Sequence, residues 1–358
     1  MKKLSFIFAA LLMSIGVIFA QTHVSNVVVS GVGQENNISQ TGPGDITSNV
    51  TQSNANNIAT VTQINPGLAV VSGIQSDVTQ SGVSNNAKVT QDLTGVNGPE
   101  AMLKALINQS GNENEAVQKQ GPHTQMGTTY AEILQGGNWN HAYQTQLKSN
   151  NDAVISQEGD YNTATQSQDV ETIDGYEGTW NNATIIQSGN ANIAVQDQHG
   201  WLNDASATQS GNGNHSSQLQ SDNSWKNIAV VIQSGDDSEA IQEQVGNLNK
   251  AKIDQRSVGD YAKQSQISEG TRPVDDYTAL NEAEIIQTGG EGNIAIQYQT
   301  IPLGEFVAAT DANHAFIQQD GATNEASQTQ TGGFNYSNVN QAGDANSTTV
   351  FQSQTLLP

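Results

Sequence analysis

Glutamine recurs at a fixed spacing through most of this chain. Gln187, Gln198, Gln209 and Gln220 stand 11 residues apart. The pattern Q-x-G-x-x-N-x-A-x-x-x-Q fills the interval that begins at Gln187, and three further groups of four glutamines keep the same spacing. These groups are Gln135, Gln146, Gln157 and Gln168; Gln233, Gln244, Gln255 and Gln266; and Gln319, Gln330, Gln341 and Gln352. Self-similarity at a fixed period indicates stacked copies of one structural unit.

Thirteen copies of this pattern align along the chain, from a degenerate copy with Val29 in the first Gln position to one that ends at Gln352. Within a copy, Asn follows the first Gln by five residues and Ala follows it by seven. The half-repeat before the Gln has the same form, as in Asn181, Ala183, Ile185 and Gln187. Alternate residues share one face of a strand, whereas the same residues would spread around a helix.

The sequence therefore predicts an all-β fold. We expect a β-solenoid with two short strands per rung, in which about 13 repeats form two facing parallel sheets. At about 4.8 Å per rung the stack would be roughly 60 Å long.

The two corners of each rung differ in sequence. Ser-Gly-Asn or Gly-Asp follows the first Gln and supplies residues that tolerate positive φ, as a tight corner requires. The other corner holds all the substantial length variation, so residues 21–358 are predicted to form a repeat solenoid with insertions at one corner. Six prolines lie at this second corner, where they remove no ladder hydrogen bond: Pro43, Pro66, Pro99, Pro122, Pro273 and Pro302.

Amide side chains must fill much of the interior. Apolar residues make up 35% of the chain, below the usual share of about 45–50%. Stacked Gln and Asn can bond amide to amide along the axis and so satisfy polar groups that are costly to bury. Besides the 16 glutamines named above, the predicted self-assembly ladder includes Asn140, Asn162, Asn192, Asn214, Asn324 and Asn346.

Residues 1–20 are predicted to be a secretory signal peptide. Lys2 and Lys3 precede an apolar run that ends in Ala20, the expected cleavage point. The mature chain would then be exported, with 10 basic against 35 acidic residues and a net charge of −25. Such an acidic surface makes nucleic acid a poor partner. No second apolar segment long enough to span a membrane follows residue 20, so membrane insertion is not predicted. The chain contains no cysteine, which excludes disulfides and thiolate metal sites.

Both ends of the predicted stack are rich in residues that favour β-structure. Val27 and Val29 lie in the first rung, and Val350 and Phe351 lie in the last. Unpaired strand edges at these positions are expected to template further chains. The middle repeats carry more Gln and Asp, which leads to the hypothesis that the ends drive polymerisation while the middle slows premature aggregation.

The repeat resembles that of the curlin family, the subunits of secreted amyloid fibres of the bacterial extracellular matrix. Gln187, Gly189, Asn192, Ala194 and Gln198 match the family pattern, and the likeness covers essentially the whole mature chain. The resemblance implies a homopolymer that grows end to end, a nucleating minor subunit, an outer-membrane export pore, and a role in adhesion and biofilm on the bacterial cell surface. Three features depart from the family: 13 repeats instead of about five, Asn in place of the usual Ser at Asn181, Asn203 and Asn249, and repeat-like sequence that starts within a few residues of Gln21, where a pore-targeting leader is expected.

No motif for catalysis, cofactor binding or metal binding is present, and the chain is predicted not to be an enzyme. The six histidines are expected at turns or corners without ligand spacing. Glu113, Glu115 and Glu158 are expected to be solvated, which disfavours a β-helical glycosidase. The alternative function is a monomeric secreted adhesin that binds glycan or a surface through its corner insertions. Trp139, Trp180, Trp201 and Trp225, which are expected at corners, are further candidate contacts.

Overall fold

The computed structural model describes residues 22–66, 73–94, 101–121, 127–148, 150–169, 180–268, 281–302 and 313–354. The predicted signal peptide, Pro99, Pro122 and Pro273 lie outside the described residues. Within residues 22–354, the positions outside these ranges, residue 149 among them, all fall in the sequence at the second corner of a rung.

Twenty-six strands alternate between two sheets. The first sheet contains β1 His23–Val29, β3 Asp45–Gln52, β5 Gly73–Val83, β7 Ala101–Asn112, β9 Gly127–Gly136, β11 Asp152–Glu158, β13 Asn182–Ser188, β15 Asp204–Ser210, β17 Ile228–Gln233, β19 Asn249–Gln255, β21 Asn281–Gly289, β23 Asn313–Gly321 and β25 Tyr336–Ala342. The second contains β2 Glu35–Thr41, β4 Ile58–Ile64, β6 Asn86–Asp92, β8 Glu115–Gln120, β10 His141–Gln146, β12 Thr163–Asp169, β14 Ile193–Trp201, β16 His215–Trp225, β18 Glu239–Asn247, β20 Tyr261–Ser268, β22 Ile294–Ile301, β24 Glu325–Thr331 and β26 Ser347–Ser353.

Each strand pairs in parallel with the strand two places along the chain, so the molecule is a β-solenoid of 13 rungs. The register keeps equivalent repeat residues in vertical columns, as where Gln157 pairs with Gln187 and Ala164 with Ala194. The degenerate first copy follows the same register, since Val29 pairs with Gln52. The predicted fold, with two facing parallel sheets and two strands per rung, is confirmed.

Burial alternates along the strands as the period-2 pattern requires. In β11, Ala153, Ile155 and Gln157 are buried while the residues between them are partly exposed. Ala and Ile or Val of the first sheet meet Ala of the second, and this contact forms the apolar part of the core. The large buried side chains are mostly isoleucines, because two facing strands leave room for one branched side chain per rung.

The apolar core changes in the eighth rung, formed by β15 and β16. Ala207 occupies the column that holds Ile or Val in the adjacent rungs, and Ser216 replaces the usual Ala. Ser216 is fully buried, and its hydroxyl has no hydrogen-bond partner among the described residues. One apolar cluster ends at Ala207 and the next begins at Val231. This rung therefore has the least apolar core of the stack's interior.

The tight corner is the one that follows the first Gln of each copy, and it has positive φ at two points. The second point lies four residues after that Gln, which corrects the expectation that the first three residues supply all the positive φ. Gly159, two residues after Gln157, has φ 101°, and Tyr161, four residues after it, has φ 59°. The first point is almost always Gly, whereas the second accepts many residue types. Short second corners use the same geometry, as at Gly200 and Leu202 with φ 121° and 55°.

Among the described segments there is no helix long and apolar enough to span a membrane.

Candidate functional site

The glutamines form continuous hydrogen-bonded ladders parallel to the stack axis. In the second sheet, ladder 2 runs through every rung from Gln40 to Gln352, with Nε2-to-Oε1 distances of 2.8–3.1 Å. In the first sheet, ladder 1 runs from Gln52 to Gln341 at 2.8–2.9 Å. Every glutamine of the predicted set belongs to one of these two ladders.

Ladder 3 spans the fourth to the twelfth of the 13 rungs. It joins Gln118 to Gln328 through seven intermediate glutamines at 2.7–3.0 Å. Val89 precedes it in the same column and Val350 follows it. Because the Val89 side chain has no donor, Oε1 of Gln118 is buried without a hydrogen-bond partner among the described residues. The predicted contrast between aliphatic end rungs and amide-rich middle rungs is therefore present in the core.

The buried asparagines serve the corners more than each other, which corrects the expectation of amide-to-amide bonding throughout. Asn162 accepts a hydrogen bond from the backbone N–H of Asn192 at 3.0 Å and donates Nδ2 to the carbonyl of Gly189 at 2.8 Å. The Asn side chain is one methylene shorter than Gln, so it reaches the corner backbone rather than the centre of the next rung. Some members of the column also bond amide to amide: Asn114 to Asn85 at 3.1 Å, Asn324 to Asn293 at 3.2 Å and Asn346 to Asn324 at 2.9 Å.

The asparagine column is interrupted by Ser238 and Asp260. Asp260 is buried, accepts hydrogen bonds from the backbone and side chain of Asn293 at 3.0 and 3.1 Å, and accepts the hydroxyl of Ser257. Burial raises the pKa of the Asp260 carboxyl, and the hydrogen bonds from Ser257 and Asn293 offset part of that rise. A buried carboxylate thus stands where most rungs hold a neutral amide.

We expect Asp260→Asn to stabilise the chain near neutral pH by about 1 kcal/mol, because it replaces a buried charge with the amide used in other rungs. The folded-state pKa of Asp260 lies above its unfolded value. The stability that the protonated Asp260 carboxyl contributes is therefore fully present below the unfolded pKa, about 3.9. It is lost as the pH rises through the folded pKa. Urea unfolding between pH 3 and 8 should show this dependence flattened in the variant.

The control for this substitution is Asp237→Asn, which removes one exposed carboxylate at a corner position where Asn56 adopts the same positive φ. Equal effects of Asp260→Asn and Asp237→Asn on the pH profile would contradict the role assigned to burial.

Glycines form a column at the tight corners in which successive backbones are nearly in contact. A Cβ built on Gly159 would lie 2.1 Å from the carbonyl oxygen of Gly189, and one on Gly189 would lie 2.1 Å from that of Gly211. Positive φ and this close approach both require Gly. Gly343, in the last rung, has φ 88°, and no atom of the described residues lies within 4 Å of its built Cβ. The last rung therefore presents a corner shaped for a further rung.

The first rung leaves polar and apolar groups uncovered. Val27 and Val29 belong to the inward-facing set of β1, yet their side chains are 44% and 47% exposed. Each strand of a parallel pair bonds its neighbour through alternate residues. Because Ser30 donates its N–H to Gln52 of β3, the N–H and C=O groups of Val27 and Val29 point away from β3. In β2, Gln40 donates to Gln63, and its Oε1 accepts no hydrogen bond from the described residues.

The last rung is open in a complementary manner. Gln354 donates its N–H to Thr331, so the N–H groups of Thr349 and Phe351 point away from β24. Phe351 itself faces outward and is 77% exposed, whereas Val350 is partly buried against the core. Gln352 accepts from Gln330 and donates only to the carbonyl of Tyr336 among the described residues.

Ladder 1 is closed at both ends by the chain itself, unlike ladder 2. Asn36 donates its amide to Oε1 of Gln52 at 2.8 Å, and Gln341 donates to the hydroxyl of Thr348 at 3.1 Å. Of the two ladders that reach the ends of the described stack, ladder 2 alone ends in an unused acceptor, at Gln40, and an available donor, at Gln352. Both of its ends lie in the same column.

The outer faces contain pairs that the sequence did not reveal. Five histidines lie on strands rather than at turns: His23, His141, His199, His215 and His314. Glu115 is paired rather than merely solvated, since it accepts from the hydroxyl of Tyr143 at 3.0 Å and lies 3.2 Å from Nδ1 of His141. The described residues contain no group of three or more His, Asp or Glu that could hold a metal ion.

The sequence also underestimated the extent of the ladders. Gln297 belongs to ladder 3 but was displaced in the alignment by the extra residue before Asn293. Ladders 1 and 2 extend upstream of the predicted set to Gln52 and Gln40. Asn181, Asn203 and Asn249, which replace the Ser of the curlin pattern, lie in a second buried column where each backbone N–H bonds the preceding Asn side chain.

A scan against protein-family models gives no match for this chain. A search of the curated proteins gives none either.

Proposed function

We propose that this protein is the structural subunit of a secreted, curlin-like amyloid fibre that assembles by head-to-tail stacking of its solenoid. The observation that carries the proposal is the match between the two open ends of ladder 2. Gln352 of one copy would donate to Gln40 of the next and continue a ladder that already spans every rung. Such a contact uses different surfaces on the two partners, so it does not close and it produces fibres.

Other columns support the same register. With Gln352 above Gln40, Val350 would contact Ile38, and Val339 would contact Val27, so the apolar core would continue across the junction. Ladder 1 would end against Val29 without leaving an unpaired amide, since Gln341 already donates within its own chain. The aliphatic residues that replace ladder 3 at the ends would meet each other rather than meeting an amide.

The polarity of ladder 2 supports one direction of stacking. Every Nε2 in ladder 2 donates toward the C-terminal end, so that end offers donors and the N-terminal end offers acceptors. A head-to-head contact would place like groups together and leave them unsatisfied. The proposed fibre is therefore polar, with all copies oriented alike.

The extracellular location, an export pore, a nucleating minor subunit, and roles in adhesion and biofilm on the bacterial surface form part of the proposal because the repeat resembles the curlin pattern. The export assignment further depends on residues 1–20 acting as a signal peptide. The adhesin alternative requires the mature chain to remain monomeric, and the open ends of ladder 2 favour the fibre.

The first test is assembly of the mature protein. Freshly purified chain should become sedimentable, fibrous by electron microscopy and cross-β by diffraction, with a spacing of about 4.7–4.8 Å along the fibre. Added salt should speed assembly, because the described end rungs carry acidic residues and Lys88 is the first basic residue after the signal peptide. A chain that stays monomeric at all salt concentrations would favour the adhesin instead.

The junction is tested by Gln352→Glu. A carboxylate can still accept from Gln330 within the chain, but it can donate neither to Gln40 of the next copy nor to the carbonyl of Tyr336 in its own chain. We expect a fall in elongation rate of at least about tenfold at pH 7, which corresponds to about 1.4 kcal/mol, with folding preserved by circular dichroism. Ser353→Glu adds the same charge to the outer face of the same strand and is the matched control. Equal slowing by both variants would mean that charge alone, rather than the ladder, accounts for the effect.

A further inference from the structure

Two large aromatic side chains occupy neighbouring rungs on the tight-corner edge, the side of the stack that the tight corners form. Trp139 and Tyr161 each lie four residues after a ladder 1 glutamine, at the second positive-φ point of the corner. Elsewhere this column holds small or polar residues. They are Gly33, Asn56, Ser84, Glu113, Ala191, Gly213, Asp237, Gly259, Gly292, Thr323 and Ala345.

The two rings are parallel and exposed. Their centroids are 6.1 Å apart, their planes differ by 4°, and the residues are 42% and 61% exposed. Each has φ 59°, a conformation that bulky residues rarely adopt. The whole column has positive φ, so this conformation belongs to the corner. What distinguishes these two positions is that large rings are left in solvent in adjacent rungs, where folding gains little from them.

We propose that Trp139 and Tyr161 form a platform that binds a neutral polysaccharide chain along the tight-corner edge. The C–H groups on the face of a sugar ring carry partial positive charge and pack against the negative face of an aromatic ring. The rungs repeat about every 4.8 Å, so an extended glycan lying along the stack axis would contact both rings. This assignment does not depend on whether the protein forms fibres.

Polar groups beside the rings can accept hydrogen bonds from sugar hydroxyls. Oδ1 of Asp160 accepts from the backbone and the side chain of Asn138 at 2.7 and 2.9 Å, which fixes this carboxylate next to Tyr161. Its second oxygen has no hydrogen-bond partner among the described residues. Glu113, exposed in the preceding rung of the same column, adds another acceptor.

The charge of these neighbours selects among glycans. Glu113 and Asp160 would repel uronate or sulfate groups, so an anionic polysaccharide fits the platform poorly. A quaternary ammonium group is usually enclosed by several rings facing it from different directions. Trp139 and Tyr161 are instead stacked parallel to each other and enclose no such space, so a compact cation fits them poorly.

Residues found at the same position in other rungs show which substitutions are suitable for testing the platform. Ala191 and Ala345 occupy the same corner position with φ 56° and 58°, so Trp139→Ala and Tyr161→Ala leave the backbone in a conformation that this fold already uses. Trp139→Phe combined with Tyr161→Phe preserves two stacked rings. Phe334→Ala removes an aromatic residue that is 48% exposed, at the equivalent point of a second corner, with φ 59°, and is the matched control.

Affinity electrophoresis of freshly prepared full mature chain, in gels with hydroxyethyl cellulose, laminarin or dextran, measures binding without sedimentation of fibres. We expect retardation by at least one neutral polysaccharide, a loss of at least about tenfold in affinity for the double alanine variant, and near-normal affinity for the double phenylalanine variant. Phe334→Ala should bind as the unaltered chain does.

Three results would overturn the proposal. The unaltered chain could show no retardation by any of the neutral polymers, it could bind only alginate or a trimethylammonium matrix, or the double alanine variant could bind as tightly as the unaltered chain. Fibre formation is scored separately by sedimentation of the same samples, so a failure of the fibre proposal would be distinguished from a failure of the glycan platform.

Discussion

Thr349→Pro is expected to stop elongation at the C-terminal end of the stack while the chain still folds. Thr349 lies in the last strand, its side chain is exposed, and its N–H points away from β24. Proline at this position therefore removes no hydrogen bond within the chain. Prolines are tolerated on edge strands where the N–H faces outward. The pyrrolidine ring would project toward the next rung and remove a donor that an incoming strand requires.

We expect seeded elongation, followed by thioflavin fluorescence and sedimentation, to slow at least tenfold, roughly the effect of 1.4 kcal/mol on the barrier. The urea midpoint of the soluble chain should change little. Thr349→Val keeps the N–H, the exposure and nearly the same volume, so it should elongate as the unaltered protein does. Normal growth of the Thr349→Pro variant would show that the C-terminal edge is not the assembly surface.

Gly159→Val is expected to cause a large loss of stability at the tight corners. Gly159 has φ 101°, and its Cβ position lies 2.1 Å from the carbonyl oxygen of Gly189. A β-branched residue would combine backbone strain of about 1–3 kcal/mol with overpacking of about 1–3 kcal/mol. We therefore expect destabilisation of about 3 kcal/mol or more.

Hydrogen exchange resolved by peptide mass spectrometry would locate this loss, because a solenoid unfolds locally and each rung depends on its neighbours. Protection should fall first around residues 158–162 and 188–192. Gly343→Val is the matched control, since φ is 88° but nothing lies within 4 Å of the Cβ position. Similar destabilisation at both glycines would mean that positive φ alone, and not the close approach of successive rungs, requires the glycine column.

The strands and their register could be predicted because each buried position is specified many times over. A period of two places Asn, Ala, Ile and Gln on one face, and a one-residue slip would expose the whole set. Thirteen copies therefore predict both sheets correctly. The same redundancy predicts which glutamines stack, since ladders need only equal positions in successive rungs.

The corners and the outer faces could not be predicted in the same way. The second positive-φ point of the tight corner is occupied by residues as different as Glu113, Trp139 and Ala191, so no residue type marks it. Whether an asparagine bonds another amide or the corner backbone depends on a difference in side-chain length of about one bond. Periodicity does not specify that difference. The pairing of Glu115 with His141 and Tyr143 arises from neighbours 26 and 28 residues away in the sequence.

The asparagine column that holds the tight-corner backbone has a consequence for how this protein can vary. Because Asn162 and its equivalents bond the corner through main-chain groups, the adjoining exposed position is free to carry almost any side chain, from Gly213 to Trp139. That position recurs once per rung along one straight edge, which makes the edge a scaffold on which chemical groups can be displayed at molecular spacing. Residues could be exchanged there, singly or in rows, to give a regular filament new adhesive, catalytic or optical properties without redesigning its interior.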